Sequence, residues 1–418
     1  MSSWRACWNT PVQRSDLDLG FDWRFFCGGL AAILILAACR VSESVLPETA
    51  VASPAAPLTA EFSPTPGQAA LAPSPTATTL SASPTAAAAL PTSSPAVVPQ
   101  PTRAQPPTAH PLTPYTIAGM REREYPGGEI QIAAVQEENE SYRRYFFVYL
   151  SDGLSITGVM NVPRGAGPFP VLILLHGYFE REQYWTGADT WQAADFFARS
   201  GYLTIAPDYR SWGGSDSGPS LFHTGLVADV LNLISSLPSL PQADTERVAL
   251  MGHSMGGGIA TKVLVIDDRV SAAVLHAPNS ADDADLIGRW GPGCLPGQSE
   301  AAGDRCNPGE IVPVDLPPEL VAAYLEAAGD AQFLQHVAPI NALEDVDAPV
   351  QIHIGEADGE TLLQTPPDWS QKLYEALQAA GKEVEFFSYP DQGHYFRSPA
   401  WGQLMNRALI FFDEQLMP

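Results

Sequence analysis

Arg247-Val248-Ala249-Leu250-Met251-Gly252-His253-Ser254-Met255-Gly256-Gly257-Gly258 is the stretch on which the fold turns. Arg247–Met251 reads as a strand buried on both faces, because its apolar residues are continuous rather than alternating. The run ends in Gly252, and the glycines from Gly256 onward accompany the start of a helix. A strand, a tight turn and a helix around one serine form a nucleophile elbow, whose strained backbone requires small residues two before and two after the serine. Gly252 and Gly256 occupy those positions. In a chain with 34 glycines the pentapeptide alone carries little weight, so the reading rests on its place between a buried strand and a helix. The same turn sets the backbone N–H of Met255 at a helix N-terminus, where an oxyanion would be stabilised.

Outward from the elbow the pattern repeats. Val171–Leu175, Tyr202–Ala206, Ala272–His276, Val350–Ile354 and Val384–Tyr389 read as strands, and Thr190–Arg199, His223–Ser236, Asp368–Ala380 and Trp401–Gln415 as helices. Such alternation implies an α/β fold, a mostly parallel sheet with helices on both faces and the active site at the carboxyl ends of its strands. Three earlier segments, Glu129–Val135, Arg144–Leu150 and Ser155–Val162, predict an antiparallel start to the sheet. The alternation is interrupted over about 278–345, which holds Cys294, Cys306, Trp290 and a predicted helix over Pro318–Ala328; it reads as a cap or lid.

A serine hydroxyl needs a base to take its proton. Of the eight histidines, His394 lies in the turn-rich loop Pro390-Asp391-Gln392-Gly393-His394-Tyr395, directly after the last predicted strand and so at the sheet edge where the elbow ends. His176 and His253 adjoin apolar strands and read as structural hydrogen-bonding residues, and His110 falls in the Pro-rich tether described below. A carboxylate must hold the imidazole in the right tautomer. Asp358 follows the strand Val350–Ile354 through Gly355, which gives the chain order Ser, Asp, His expected of this elbow. Asp282, Asp283 and Asp285, which follow the preceding strand, are its competitors. A second oxyanion donor is expected from the loop after Val171–Leu175, where Gly177 permits close approach and Tyr178 offers its N–H. No metal-ligand spacing or dinucleotide motif occurs, and the chemistry needs no cofactor.

The remaining features concern location. Residues 1–39 read as a lipoprotein-type signal peptide: an apolar run, Phe25 to Ala38, ends in Leu36-Ala37-Ala38-Cys39, with Cys39 as the lipidated residue. Residues 40–114, crowded with Pro, Ala, Ser and Thr, read as a disordered tether, which leaves 115–418 as the catalytic domain. An exported, lipid-anchored chain on the outer face of a bacterial membrane follows, with Cys294 and Cys306 free to form a disulfide in that oxidising compartment. A formal charge of −25 excludes a nucleic-acid partner. Oligomeric state has no signature in the sequence.

Over roughly residues 140–418 the chain resembles the catalytic domain of the prolyl oligopeptidase family and its dienelactone-hydrolase-like esterase relatives, within the α/β-hydrolase superfamily. The likeness is carried by His176-Gly177 after an apolar strand, Pro207-Asp208-Tyr209-Arg210 with Trp212-Gly213-Gly214-Ser215, the elbow, Ala348-Pro349-Val350 leading to Gly355 and Asp358, and Gly381 with Pro390–His394. The resemblance implies a Ser254, Asp358, His394 triad with Tyr178 and Met255 as oxyanion donors. The chain departs from true prolyl oligopeptidases in carrying a Pro-rich tether where they carry a propeller, and in a longer segment between Asp358 and Pro367. A serine hydrolase acting on a small ester or short peptide is therefore expected, as a serine-type peptidase or as a carboxylesterase or lipase-like enzyme without peptidase activity. A non-catalytic ligand-binding lipoprotein is the alternative from another class.

Overall fold

The computed structural model describes residues 110–298 and 305–417. The signal peptide, Cys39 and nearly all of the tether read from the sequence lie outside these residues.

The described residues begin with a 3₁₀ turn at Thr113–Tyr115, a short helix, α1 (Ile117–Glu122), and three strands, β1 (Gln131–Glu138), β2 (Tyr142–Ser151) and β3 (Leu154–Pro163). Then come β4 (Phe169–Leu175), α2 (Trp191–Arg199), β5 (Leu203–Pro207), α3 (Thr224–Ser236), β6 (Ala243–His253), α4 (Met255–Leu264) and β7 (Ala272–His276). The interruption holds α5 (Asp283–Trp290), a two-stranded ribbon of β8 (Gly293–Cys294) and β9 (Asn307–Ile311), α6 (Pro318–Ala328) and α7 (Ala331–Val337). The chain closes with β10 (Val350–Gly355), α8 (Pro367–Ala379), β11 (Val384–Tyr389) and α9 (Ala400–Leu416).

Among the described residues, nine strands form one sheet in the order β1-β2-β3-β5-β4-β6-β7-β10-β11. The pairs from β1 to β5 are antiparallel and all those from β5 to β11 are parallel. The parallel strands have apolar residues at consecutive positions because both faces are covered. In β4, Val171, Ile173 and Leu175 join the cluster under α3, α4 and α8, whereas Leu172 and Leu174 join the one under α2 and α9. Val248 and Leu250 of β6 divide from Ala249 and Met251 in the same way.

Three differences from the sequence reading have local causes. β6 begins at Ala243, earlier than the expected Arg247, because Ala243 and Asp244 pair with Phe169 and Pro170 across a register shift. Packing begins before residue 115: Leu112 is fully buried against a cluster with Leu221, Phe222, Val312 and Tyr324. His110 to Pro114 therefore belong to the domain, and their proline content had masked one anchoring leucine. The inserted segment, read from the sequence as a cap or lid, contains α5 and α7, both too short for periodicity to show. Each is capped by an aspartate, Asp282 accepting from the N–H of Ala284 and Asp330 from that of Gln332. Cys294 and Cys306 are joined by a disulfide that closes the β8–β9 ribbon.

One buried ion pair fixes the loop after β5 to the helical layer. The Arg210 guanidinium donates to Asp229 at 2.7 Å and to Asp152 at 2.8 Å, and the Arg210 backbone N–H also donates to Asp229. Asp229 is wholly buried and Arg210 nearly so. Arg210→Ala leaves that carboxylate buried without its cation, and is expected to lower the unfolding free energy by about 3–5 kcal/mol, measured by urea denaturation.

Candidate active site

Ser254 joins β6 to α4 with φ 53° and ψ −118°, a strained conformation for a residue with a side chain. Neighbours hold it there. Its N–H donates to the carbonyl of His276 at 2.9 Å, and its carbonyl accepts from the N–H groups of Gly257 and Asn279 at 3.0 and 2.9 Å. A Cβ on Gly252 would lie 2.3 Å from the Gly256 oxygen, and one on Gly256 would lie 2.1 Å from the Leu175 oxygen. Both glycines are thus required by close approach, between the arms of the elbow and between α4 and β4.

The structure brings Ser254, His394 and Asp358 together. Ser254 Oγ lies 2.9 Å from His394 Nε2, and His394 Nδ1 lies 2.9 and 3.1 Å from the two oxygens of Asp358. The ionised carboxylate accepts only, so Nδ1 carries the proton and Nε2 of the neutral ring is free to accept from the serine hydroxyl. Burial lowers the His394 pKa below the ordinary imidazole value, its bond to Asp358 offsets part of this, and the charge of nearby His253 lowers it further. Asp358 is itself held by the N–H of Gly359 at 2.7 Å and by the hydroxyl of Thr365 at 3.0 Å. Thr365 is completely buried and was not singled out in the sequence. It sits in the long segment between Asp358 and Pro367, which the lid also grips: Trp290 Nε1 donates to the Leu362 carbonyl at 2.6 Å.

The competing acids are engaged elsewhere. Asp282 and Asp285 accept from Lys372 at 2.7 and 3.0 Å, and Asp283 faces Lys262 at 3.1 Å. They form the cap and first turn of α5, where acidic residues satisfy free N–H groups and complement the helix dipole. Tyr178 and Met255 line the same small cavity as Ser254, about 30 Å³ in volume, roofed by Pro308 and Gly309 of the lid ribbon. Met255 is the first residue of α4, so its N–H has no intrahelical acceptor. On the other side of the elbow, a cleft of about 350 Å³ is lined by aromatic residues including Trp185, Trp191, Tyr395 and Trp401, and reaches His253. Among the described residues no cluster of three His, Cys, Asp or Glu side chains could hold a metal ion.

His253 occupies a more pointed position than a generic structural histidine. Its Nδ1 lies 2.8 Å from Asp189 Oδ2, and its Nε2 lies 3.0 Å from the backbone carbonyl of His394. The same Asp189 oxygen accepts the N–H of Gly177 at 2.8 Å. The carbonyl can only accept, so Nε2 bears a proton, and the second proton lies between Nδ1 and the carboxylate. Burial pushes the His253 pKa down, but Asp189 more than offsets this and the ring stands above the ordinary value. For Asp189, burial raises the carboxyl and the facing His253 outweighs it, so the pKa is lowered. The pair is a buried imidazolium and carboxylate that ties the Gly177–Tyr178 loop to the His394 loop. Asp189 carries φ 68° and has no motif around it, so only the folded chain reveals it. His176, by contrast, sits among Tyr184, Tyr209 and Trp212 with its ring nitrogens on the carbonyls of Gly177 and Asp208.

A mostly parallel sheet carrying this elbow and histidine loop defines an α/β-hydrolase fold. The chain belongs to the alpha/beta hydrolase family, whose pattern it matches over residues 172–403. It is 24% identical over 268 residues to an Escherichia coli protein described as an uncharacterized 31.7 kDa protein in the traX-finO intergenic region, covering 59% of this chain and 90% of that one. Among solved structures it is similar to acetyl xylan esterase 1 from Thermoanaerobacterium sp., with 19% identity, 71% and 90% coverage and a TM-score of 0.48. It is also similar to the acylaminoacyl peptidase of Pyrococcus horikoshii, with 18% identity, 66% and 42% coverage and a TM-score of 0.48.

Asp189→Asn keeps the shape of the His253 partner and removes its charge. Histidine ring NMR at pH 7 is expected to show both His253 nitrogens protonated in the native protein and a neutral ring in the variant, because the main influence opposing burial is then removed.

Proposed function

We propose that the chain is a serine hydrolase that cleaves carboxylic ester or amide bonds through an acyl-enzyme. The observation that carries this reading is the continuous hydrogen-bonded chain from Ser254 Oγ through His394 to Asp358. Oγ attacks the carbonyl carbon as His394 Nε2 takes its proton, and the oxyanion formed faces the N–H groups of Met255 and Tyr178. The C–O or C–N bond then breaks, the leaving group takes the proton from His394, and the acyl group stays on Ser254. Water enters by the same base-assisted route, releasing the acid and restoring the serine. Asp358 holds the tautomer and stabilises the imidazolium.

Within this class the sequence resemblance supports a prolyl-oligopeptidase-like acyl hydrolase. The small cavity beside Ser254, bordered by Pro308 and Gly309 of the disulfide-bonded ribbon, supports a carboxylesterase of short acyl groups. For location we propose an extracytoplasmic, lipid-anchored enzyme; the support is the Leu36-Ala37-Ala38-Cys39 signal and the Cys294–Cys306 disulfide, a bond that persists in oxidising compartments.

A panel of nitrophenyl esters and dipeptide anilides, with Ser254→Ala as control, tests the reading. Short esters are expected to be turned over and the control to lose about 10⁴-fold or more in kcat. Asp358→Asn is expected to cost about 10⁴-fold through the wrong tautomer. A folded protein inert to every substrate and to a fluorophosphonate probe would instead favour the non-catalytic ligand-binding reading. The pH profile has a definite sign: activity requires neutral His394 and is lost as pH falls through its pKa. Because that pKa is lowered, the acid limb of kcat/KM is expected below pH ~6.5, the unperturbed value.

A further inference from the structure

The cavity beside Ser254 is lined by polar side chains that the proposed chemistry does not use. His223 and Asn279 both line it, and each residue is only 6% exposed. Among the described residues neither His223 Nε2 nor Asn279 Oδ1 has a hydrogen-bond partner. Buried polar atoms are nearly always satisfied, so two orphans on residues that line one small cavity beside the candidate nucleophile call for a ligand that satisfies them. Both are firmly placed. The Asn279 N–H donates to the Ser254 carbonyl at 2.9 Å, which seats the residue against the elbow. His223 Nε2 points toward the lid residue Gly309, whose Cβ, if it had one, would lie 3.7 Å away.

The backbone around His223 is also unusual. Phe222 and His223 are successive non-glycine residues in the left-handed region, at φ 55° and 59°. Such conformations persist where the surroundings over-determine them, and they concentrate at functional sites. Here the lid supplies the constraint, because Glu310 of β9 accepts the Phe222 N–H and the Tyr324 hydroxyl. Lys262 accounts for the Phe222 carbonyl and is paired with Asp283.

The chemistry of the walls limits the ligand. Among the described residues no Asp, Glu, Lys or Arg lines this cavity; Met255, Trp290 and Leu363 line it with Tyr178 and Asn307, whose Oδ1 accepts the Gly309 N–H at 3.0 Å. The smaller cavity that His223 and Asn279 also border holds Lys262 and Asp283, which are paired with each other at 3.1 Å. Burial and the Lys262 charge hold the His223 ring neutral at ordinary pH, with a pKa pushed down to about 3. A neutral imidazole and a carboxamide suit a neutral group that both donates and accepts. A hydroxyl can accept from His223 Nε2–H and donate to Asn279 Oδ1, and a secondary amide can do the same with its two ends.

We propose that the acyl group taken by Ser254 is short and bears a neutral hydrogen-bonding substituent, a hydroxyl or an amide, near its carbonyl, and that His223 and Asn279 recognise it. This rests on the acyl-transfer reading above and names its substrate class. A site built to hydrogen-bond a substrate group rejects the analogue lacking it far more strongly than an apolar pocket rejects a missing methylene.

The test measures kcat/KM for two matched pairs of methyl esters by pH-stat, each normalised to the ester's hydroxide-catalysed rate. Methyl lactate against methyl isobutyrate probes a hydroxyacyl source; N-acetylglycine methyl ester against methyl levulinate probes an acylaminoacyl source. A preference of about 100-fold or more for the polar member of either pair is expected, and the pair that shows it identifies the source. In Asn279→Leu, and in His223→Asn, which tolerates the left-handed backbone, that ratio is expected to fall below about tenfold. Ratios within about threefold in both pairs, in protein whose Ser254 reacts with a fluorophosphonate, would overturn the proposal and leave acyl transfer standing. A large ratio that survives both variants would also overturn it. Failure of Ser254 to label, with no ester hydrolysed, would overturn both readings together.

Discussion

The backbone of Ser254 is the constraint on which the rest of the site depends. A residue with a side chain at φ 53° is held only if its neighbours approach closely, and they do so because Gly252 and Gly256 lack a Cβ. The approach of Gly256 to the Leu175 carbonyl seats α4 against β4, and the loop leaving β4 is thereby brought over the serine. The carbonyl of Ser254 in turn accepts the N–H of Asn279, so the first residues after β7 are drawn to the same point. One strained turn therefore locates the candidate nucleophile, both candidate oxyanion donors and the start of the segment inserted after β7.

Electrostatics then organise the two histidines beside it. His394 and His253 lie 4.8 Å apart between ring centroids, and each faces a buried carboxylate. Their environments push them in opposite directions, His253 toward the charged form and His394 toward the neutral one. Positive charge on His253 next to the candidate base disfavours a second charge there, which helps to keep His394 able to accept a proton. The cost of burying the His253 and Asp189 charges is offset by hydrogen bonds to both loops that must stay in register.

Much of this was legible in the chain. The parallel core was readable because strands covered on both faces show continuous apolar runs, and the elbow because its glycines have a steric reason. Asp358 and His394 were found from their places after late strands, since the carboxyl edge of a parallel sheet gathers such loops. What stayed hidden had no local signature. Thr365, Asp189 and the orphaned pair His223 and Asn279 are ordinary polar residues in loops, and α5 and α7 are too short for periodicity. Asp282, Asp283 and Asp285 looked like candidate acids because a helix cap and a catalytic carboxylate use the same residue type.

The sequence by itself thus determined the α/β architecture, the nucleophile turn and the order of its partners, because apolar periodicity and glycine sterics act over a few residues. Tertiary structure alone decided where the competing aspartates go, which charged pair braces the loops, and which buried polar atoms near the serine are left without a partner. Those are contacts between residues far apart in the chain, and hydrogen-bond satisfaction in a buried site is a property of the packed molecule.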